Sequence, residues 1–319
     1  NHILGVDFDF FNYEHVNGSD INFFLAINNE TNTLSAILGF IPYGKLPNCH
    51  VCGVIIKVSP YEKVPFLGVE LMRQMLAKTN PLTYCGIGTD PKTMLPLVKF
   101  FFKRHVGIMS HYFLLNETLN NFNIVKISHI KNYRLKKIRS DKGIELNNIK
   151  AADENAIIKN YDKLFVEKKL PRKSLEYLLK RYLNHPIYSY KSYLIVDPET
   201  HNHSLLFARE VKYESSKALR IVDFIGDINS LGKLNTWIKF IISENFYEYV
   251  DLLCSGIDQK LLEKSGFNLV IKDYDIIVPT YFEPFVDKNI DIYFEKSHKD
   301  LILFKGDADG DRPNNSKHI

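Results

Sequence analysis

The chain has 319 residues, a formal net charge of +4, 45% hydrophobic residues and 24% charged residues. This composition excludes an intrinsically disordered chain, and so small a net charge gives no reason to invoke nucleic acid. The length favours two domains of ordinary size. With no bilayer-length apolar run, no evident signal peptide and only four cysteines, we expect a protein of the reducing cytoplasm without membrane insertion.

The first half predicts an alternation of strands and helices. Apolar β-rich runs and turn residues predict strands at 22–28, 33–41, 51–58, 83–87 and 110–115, and helices at 67–78 and 94–104. This β-β-β-α-β-α-β order predicts a mixed α/β sheet with a helix on each face, closed by the strand at 110–115.

A similar alternation restarts near residue 151. It predicts helices at 152–165, 174–183, 231–245 and 259–264, and strands at 193–196, 204–211, 218–224, 250–254, 275–278 and 291–294. We therefore predict an N-terminal domain over 1–125, a basic connector over 126–150 and a C-terminal domain over 151–319. The lysines and arginines of 124–142 fit a solvated linker, or a rim that attracts an anionic substrate such as a nucleotide diphosphate.

The stretch 54–76, VIIKVSPYEKVPFLGVELMRQML, joins the end of a strand to the start of a helix. Free N–H groups at such a helix N-terminus form a natural cradle for a pyrophosphate. The stretch resembles the strand, pyrophosphate loop and helix of the GCN5-related N-acetyltransferases, whose loop is Arg/Gln-x-x-Gly-x-Gly/Ala. Lys63 and Gly68 match its first and last positions, whereas Phe66 replaces the first glycine and Pro65 removes one N–H donor.

The second half resembles the same superfamily through a helix that ends in Gly266-Phe267. The resemblance therefore implies two tandem acetyltransferase-like domains, the first one abbreviated. The strings RYLNHPIY, ALRIVDFIGD, YFEPF and FKGDADGDRPN are similar to acetyltransferase-like proteins of bacterial capsule and O-antigen biosynthesis.

The resemblance implies that an acetyl group moves from acetyl-coenzyme A to a primary amine by direct attack, without a metal or a covalent enzyme intermediate. The donor would contact the residues of the strand end and turn, which are Ile56, Lys57, Val58, Lys63, Val64, Phe66, Leu67, Gly68 and Val69. The corresponding turn in the second half, residues 226–232, lacks a basic residue, and Asp227 would repel a pyrophosphate. We expect only the first half to hold the donor.

Three residues are candidates for acid–base catalysis. The family often uses a tyrosine on its fourth helix, but the helix at 94–104 carries Phe100, Phe101 and Phe102 there. The candidates that replace it are Tyr84 as acid, and His50 or His111 as base. Each of the three also fits a purely structural role.

The second half offers the predicted acceptor site, which we expect to bind a nucleotide-linked amino sugar. Its candidates are polar or aromatic side chains at the ends of predicted elements: His185, Tyr190, Arg220, Asp223, Tyr281 and Glu283. Pairing of Arg220 with Asp223 inside the fold is the structural alternative.

Other functions and states remain open from the sequence. One alternative is an aminoacyltransferase similar to those that build peptidoglycan bridges, and another is a non-catalytic binding module with decayed sites.

The sequence does not decide whether the protein forms a homodimer. Neither the lone Cys49-x-x-Cys52 nor the acidic run 306–314 has the spacing of a metal site, and we expect the run to form a turn stitched by aspartates.

Overall fold

Two mixed β-sheets organise the residues that this computed structural model describes, which are 3–18, 20–128, 143–165, 167–271 and 276–314. Each sheet combines antiparallel strands with one parallel pair. In both sheets a helix follows the first strand of the parallel pair and leads to the second. The prediction of a mixed α/β fold with two similar halves is confirmed.

Seven α-helices are defined in the described ranges. They are α1 (Phe8–His15), α2 (Leu67–Thr79), α3 (Met94–Phe102), α4 (Glu154–Asn160), α5 (Leu175–Leu178), α6 (Asn235–Asn245) and α7 (Gln259–Lys264). Helix α5 continues as a π-turn over Leu179–Leu183, and 3-10 turns follow α4 at Tyr161–Leu164 and precede α6 at Ile228–Lys233. None of the described helices is long and apolar enough to span a bilayer.

The N-terminal sheet has six strands in the order β3-β4-β5-β6-β19-β7. Their bounds are β3 (Phe23–Asn28), β4 (Thr33–Pro42), β5 (His50–Val58), β6 (Thr83–Ile87), β7 (His105–Ile108) and β19 (Tyr293–Lys296). Strands β5 and β6 are its parallel pair.

The C-terminal sheet has the order β10-β11-β12-β13-β14-β8-β15, and β20 also pairs with β14. Its strands are β8 (Ser110–Leu115), β10 (Ile149–Ala151), β11 (Tyr190–Val196), β12 (His203–Tyr213), β13 (Ser216–Gly226), β14 (Tyr249–Ser255), β15 (Asn268–Leu269) and β20 (Leu303–Phe304). Strands β13 and β14 are its parallel pair.

Three two-stranded ribbons complete the described strands. They are β1 (Val16–Asn17) with β2 (Asp20–Ile21), β9 (Lys126–Ile127) with β16 (Ile276–Ile277), and β17 (Tyr281–Phe282) with β18 (Phe285–Val286).

The two sheets exchange strands. Strand β8 follows the N-terminal elements in the chain but lies between β14 and β15 of the C-terminal sheet. In return, β19 comes from near the end of the chain and lies between β6 and β7 of the N-terminal sheet. The strand at 110–115 therefore exists as predicted but does not close the first sheet, because β19 occupies the place beside β6.

The prediction of a helix on each face of the N-terminal sheet is wrong. Helices α2 and α3 both pack on one face, where Met72, Met75 and Val98 meet Leu38 and Val51 in one buried cluster. The opposite face is covered by the second half of the chain, because Cys52 and Phe294 share a buried cluster with Phe207 and Val222 of the C-terminal sheet and with α4 and α5. The core between the two sheets is thus common to both halves.

Candidate functional site

Strands β5 and β6 part in the middle of the N-terminal sheet. Their parallel pairing runs from His50 and Thr83 to Gly53 and Gly86 and then stops, although β5 continues to Val58. The register with β4 shifts at the same point, which leaves Val54 as the extra residue of a β-bulge. Beyond Gly53, the edge of β5 opposite β4 therefore pairs with no strand of the described residues. We call this gap the N-terminal opening.

Helix α2 begins next to the N-terminal opening. Phe66 at its N-terminus is left-handed, with φ of 57°, and no side chain caps the first turn, so main-chain N–H groups are left for a ligand. Gly68 is packed on β5, since a Cβ atom there would lie 3.3 Å from the side chains of Ile56 and Val58. The Phe66 side chain packs against Phe101 of α3, with ring centroids 5.2 Å apart.

The loop before α2 carries its own anion. The carboxylate of Glu62 accepts hydrogen bonds from the main-chain N–H groups of Lys63 and Val64, at 2.8 and 2.9 Å. Hydrogen bonds from the Ser35 hydroxyl and from these two amides lower the pKa of Glu62. Two donors that the sequence assigns to a pyrophosphate are therefore occupied by a side chain of the loop.

A polar cavity of about 210 Å³ adjoins the N-terminal opening. Val54, Ile87 and Gly88 line it on the side of the N-terminal sheet. Its other walls come from the second half of the chain and include Tyr188, Arg209, Arg220, Tyr281, Glu283, Lys305 and Asp311. The opening and the polar cavity share Val54, so a ligand group held in one can reach the other.

Most charges around the polar cavity are paired. The Arg209 guanidinium donates two hydrogen bonds to Asp311, at 2.7 and 3.0 Å. Burial opposes ionisation of Asp311, but Arg209 and Lys305 together hold its pKa below the usual range. Lys305 is different, because burial lowers the pKa of its amine to about 8, and its Nζ donates to the carbonyl of Gly310 at 2.9 Å. Lys305 can therefore exchange a proton near neutral pH.

A buried carboxyl group lies where the strands part, on the side of α2 and α3. Glu295 of β19 pairs with Gly86, and a Cβ atom on Gly86 would lie 3.2 Å from Oε1 of Glu295. Burial raises the pKa of Glu295 to about 7, although Arg104 acts in the opposite direction. Its Oε2 makes no hydrogen bond and lies 4.0 Å from Nε of Arg104. This position suits a proton donor.

The C-terminal sheet contains the same opening, but the chain itself fills it. Pairing of β13 with β14 ends at Ile221 and Leu252, and a bulge leaves Val222 as the extra residue. Strand β20 then pairs with the free end of β14, and the Gly306 N–H donates to the carbonyl of Val222 at 2.7 Å. Gly306 fits there because a Cβ atom would lie 2.6 Å from that oxygen.

Buried charges hold the segment 303–307, which fills the opening of the C-terminal sheet. The Lys173 ammonium lies 2.5 Å from Asp223 and 2.8 Å from Asp307, and all three side chains are buried. The Tyr182 hydroxyl also donates to Asp223, at 2.6 Å, and the Asp307 carboxylate accepts from the Phe304 N–H. We call Lys173, Tyr182, Asp223 and Asp307 the Lys173 cluster.

The three predicted catalytic residues lie apart. His50 lies at the closed end of the parallel pair, with Nδ1 2.6 Å from the Thr83 hydroxyl. His111 is buried in the C-terminal sheet, with Nε2 2.9 Å from Asp251. Tyr84 reaches the N-terminal opening, since a Cβ atom on Gly53 would lie 1.9 Å from its hydroxyl, and burial raises its pKa well above the ordinary value.

Three of the six predicted acceptor residues, Arg220, Tyr281 and Glu283, line the polar cavity. His185 and Tyr190 lie behind it, because His185 stacks on Tyr188 and the Tyr190 hydroxyl donates to Asp311. Asp223 belongs to the Lys173 cluster. The pairing of Arg220 with Asp223 is wrong: Asp251 lies directly opposite Arg220 on β14 and takes its guanidinium, with Nη2 to Oδ2 at 2.6 Å.

The nine predicted donor residues surround the N-terminal opening. Ile56, Lys57 and Val58 lie on β5 beyond its last pair with β6, and Lys63, Val64 and Phe66 are exposed on the following loop. Leu67, Gly68 and Val69 form the first turn of α2, where the Val69 side chain is buried and only its main chain is available. Of the basic run, residues 129–142 lie outside the described residues.

The sequence analysis missed several charged residues of the site. Lys305, Asp311 and Arg209 meet only because distant parts of the chain converge, and Glu295 reaches Gly86 through the strand exchange. The acidic run 306–314 could have indicated these residues. Its aspartates alternate with small residues, and each aspartate needs a cation or an N–H donor once it is buried. Among the described residues, no group of three or more His, Cys, Asp or Glu side chains is placed to hold a metal.

Comparison with known proteins finds likeness only among solved structures. No family model and no curated protein matches the chain. A GCN5-related N-acetyltransferase from Anabaena variabilis matches with a TM-score of 0.45 and 12% identity, over 86% of this chain and 62% of that one. Saccharomyces cerevisiae N-myristoyltransferase with bound myristoyl-CoA matches with a TM-score of 0.41 and 11% identity, over 85% and 65%.

A third structure, a GCN5-related N-acetyltransferase from Sphaerobacter thermophilus, has a TM-score of 0.39 and 10% identity, over 88% of this chain and 82% of that one. The chain thus spans less than two thirds of the first two proteins. These values are too low to assign the chain to a family or to a reaction.

Proposed function

We propose that the chain is a coenzyme A-dependent N-acyltransferase, with the donor thioester in the N-terminal opening and the acceptor amine in the polar cavity. The observation that carries this proposal is the direct contact of the opening with the cavity at Val54. The N-terminus of α2 lies beside the same opening and favours the negative charge of a pyrophosphate.

In the proposed reaction the amine nitrogen attacks the thioester carbonyl carbon, the C–S bond breaks, and the thiolate leaves. The unpaired main-chain edge of β5 would stabilise the charge that develops on the carbonyl oxygen. Lys305 would take the proton that the amine loses, and Glu295 would give a proton to the thiolate. The pKa values of about 8 for Lys305 and about 7 for Glu295 suit these roles near neutral pH.

The finer proposal is that the acyl group is acetyl and the acceptor is a nucleotide-linked amino sugar of bacterial surface-polysaccharide synthesis. Tyr281 offers an aromatic ring for a sugar or a base. The Tyr188 ring is covered by His185 and by the Arg209 guanidinium, and its hydroxyl donates a hydrogen bond to Glu283 at 2.9 Å. Arg209 and Arg220 are already paired with carboxylates. A diphosphate would therefore need other cations.

Calorimetry with acetyl-coenzyme A tests the donor site. We expect saturable binding to the unmodified chain, and Val54→Trp should weaken it by about tenfold or more, because the indole would fill the opening. The matched control is Ile27→Trp on β3 of the same sheet, where the side chain is 53% exposed, and its affinity should be unchanged. Absence of binding to the unmodified chain would reject the proposal.

The pH dependence of thiol release tests the proposed acid and base. A base acts when deprotonated and an acid acts when protonated, and here the pKa of the base, Lys305, is about 8 and that of the acid, Glu295, is about 7. The rate should therefore rise with pH up to about 7, peak between the two pKa values and fall above about 8, which gives a narrow bell. Lys305→Met should lower kcat by about 10²-fold or more and leave acetyl-coenzyme A affinity within about twofold.

A second candidate function is a non-catalytic binding module. The contact of Glu62 with the amides of Lys63 and Val64 favours it, because this carboxylate occupies donors that a coenzyme A pyrophosphate would need. Binding of amino-sugar nucleotides without any binding of acetyl-coenzyme A would support this second function over the first.

A further inference from the structure

A second cavity, of about 290 Å³, lies between α1 and the segment 174–181. We call it the α1 cavity. Its walls include Tyr13 and Glu14 of α1, Ile41 and Pro42 at the end of β4, and Tyr177 and Arg181. Ala308 also lines it, whereas the next residue, Asp309, lines the polar cavity. The chain at 308–309 therefore separates the two cavities.

Arg181 brings a buried cation with unused donors to the α1 cavity. Its side chain is 5% exposed, and Nη2 donates to the main-chain carbonyl of Asp311 at 2.7 Å. Nε and Nη1 have no hydrogen-bond partner among the described residues. Within the described part of the chain, no carboxylate lies within ion-pair distance of the guanidinium.

Two further polar groups in the same cavity are also left without hydrogen bonds. The Tyr177 hydroxyl and Oε2 of Glu14 are both buried and have no hydrogen-bond partner in the described ranges. Nε2 of His15 lies 3.7 Å from that carboxyl oxygen. Tyr177 and Arg181 come from consecutive turns of one segment, whereas Glu14 comes from α1. The α1 cavity is thus lined by two hydrogen-bond donors, Tyr177 and Arg181, from one segment and by a carboxyl group, Glu14, from another.

Leaving such groups unpaired is costly. A buried polar group without a partner destabilises the fold, and a charged one does so more strongly. Three such groups surround the α1 cavity, whose volume is close to the range of about 300–1,000 Å³ that is usual for small-molecule sites. This arrangement indicates that a ligand completes their hydrogen bonds. The N–H donors of a guanidinium match a carboxylate, and a carboxylate matches an ammonium group.

We propose that the α1 cavity binds a small zwitterion, with its carboxylate on Arg181 and Tyr177 and its primary ammonium group on Glu14. The site is distinct from the polar cavity and uses none of the groups assigned to acyl transfer. The proposal for the α1 cavity is therefore independent of the proposed function.

The protonation of Glu14 gives this site a measurable signature. Burial raises the pKa of Glu14 to about 8, Asp309 adds to this effect, and Arg181, Arg312 and Lys180 oppose it. The Glu14 carboxyl group is therefore protonated at neutral pH before a ligand binds. An ammonium group beside it would favour the carboxylate, so Glu14 should release most of one proton when the zwitterion binds at a pH of about 7.

Calorimetry of the full chain with glycine, β-alanine and γ-aminobutyrate tests the proposal, because the three differ only in the distance between the two charges. At least one should bind with a Kd below about 10 mM, and acetate and ethylamine should each bind at least about tenfold more weakly. Comparison of the binding heats in two buffers of different ionisation enthalpy should show proton release. No binding by the series, equal binding of acetate, or binding of inorganic phosphate instead would overturn the proposal.

Two substitutions connect the binding to its residues. Arg181→Met should abolish it, and Glu14→Gln should abolish the proton release and weaken the affinity by about tenfold. Arg73→Met, at an exposed arginine of α2, is the control and should change neither. If Arg181→Met does not fold, the proton release of the unmodified chain and its loss in Glu14→Gln still decide the question. Unchanged proton release in Glu14→Gln would overturn the assignment.

Discussion

The two halves of the molecule build the same break in their sheets and use it differently. In each half a parallel pair of strands parts immediately before a bulged valine, Val54 in the first half and Val222 in the second. In the first half a polar cavity adjoins the break. In the second half β20 and Gly306 occupy the break.

The difference shows that main-chain geometry alone does not make a binding site. Both breaks expose main-chain groups that need partners. The C-terminal break satisfies them with the chain itself and fixes that segment with the Lys173 cluster. The N-terminal break leaves them available to a ligand.

Removing Lys173 should have the largest effect. Lys173→Met leaves Asp223 and Asp307 buried and close together without a cation, so the free energy of unfolding at neutral pH should fall by about 3–5 kcal/mol. Urea denaturation followed by circular dichroism measures it. Lys168→Met, at an exposed lysine nearby, should change stability by less than about 0.5 kcal/mol. Equal stability of the two variants would mean that the cluster does not hold the segment.

Equivalent substitutions at the two bulges compare the filled and open breaks directly. Val222→Trp should lower the free energy of unfolding by about 1–3 kcal/mol, since Val222 is fully buried and the core around it has no room for an indole. Val54→Trp should cost less than about 1 kcal/mol, because its side chain faces a cavity. The same denaturation experiment compares them. A larger cost at Val54 would contradict the distinction between a filled and an open break.

The smallest expected effect is on the loop before α2, where the Glu62 carboxylate accepts hydrogen bonds from two main-chain amides. Glu62→Ala frees the amides of Lys63 and Val64 and removes a negative charge, so acetyl-coenzyme A should bind about three- to tenfold more tightly in calorimetry. Glu70→Ala removes an exposed charge from the first turn of α2 without freeing an amide. If both variants gain equally, charge alone explains the gain and the amides do not contact the ligand.

Local patterns predicted most elements of the fold. The strand Thr83–Ile87 and the helix Gln259–Lys264 have the predicted bounds, since turn residues and a capping Asp258 delimit them. Helix α1 was missed although Asp7 caps it by accepting from the Phe10 N–H. The predicted helix at 231–245 begins later, at Asn235, because a 3-10 turn precedes it.

The pairings between distant residues could not be predicted from local patterns. Arg220 pairs with Asp251 and not with the nearby Asp223, because the register of β13 and β14 places Asp251 directly opposite Arg220. Likewise, nothing in the sequence of β8 indicates which sheet it joins, since a strand buried along nearly its whole length fits the middle of either one. The loop before α2 was singled out from its sequence, whereas the positions of Lys305 and Glu295 required the assembled fold.

The strand exchange has a consequence for the synthesis of the chain on the ribosome. When β8 emerges, no strand of its own sheet has yet been made, and the outer edge of β6 stays unpaired until β19 has been made. Unpaired strand edges are prone to aggregation while they wait. Neither half can therefore mature as an autonomous unit during translation, and either half expressed alone would lack one strand of its sheet. Both sheets can close only after β19 and β20 have been made, and not at the end of the first half.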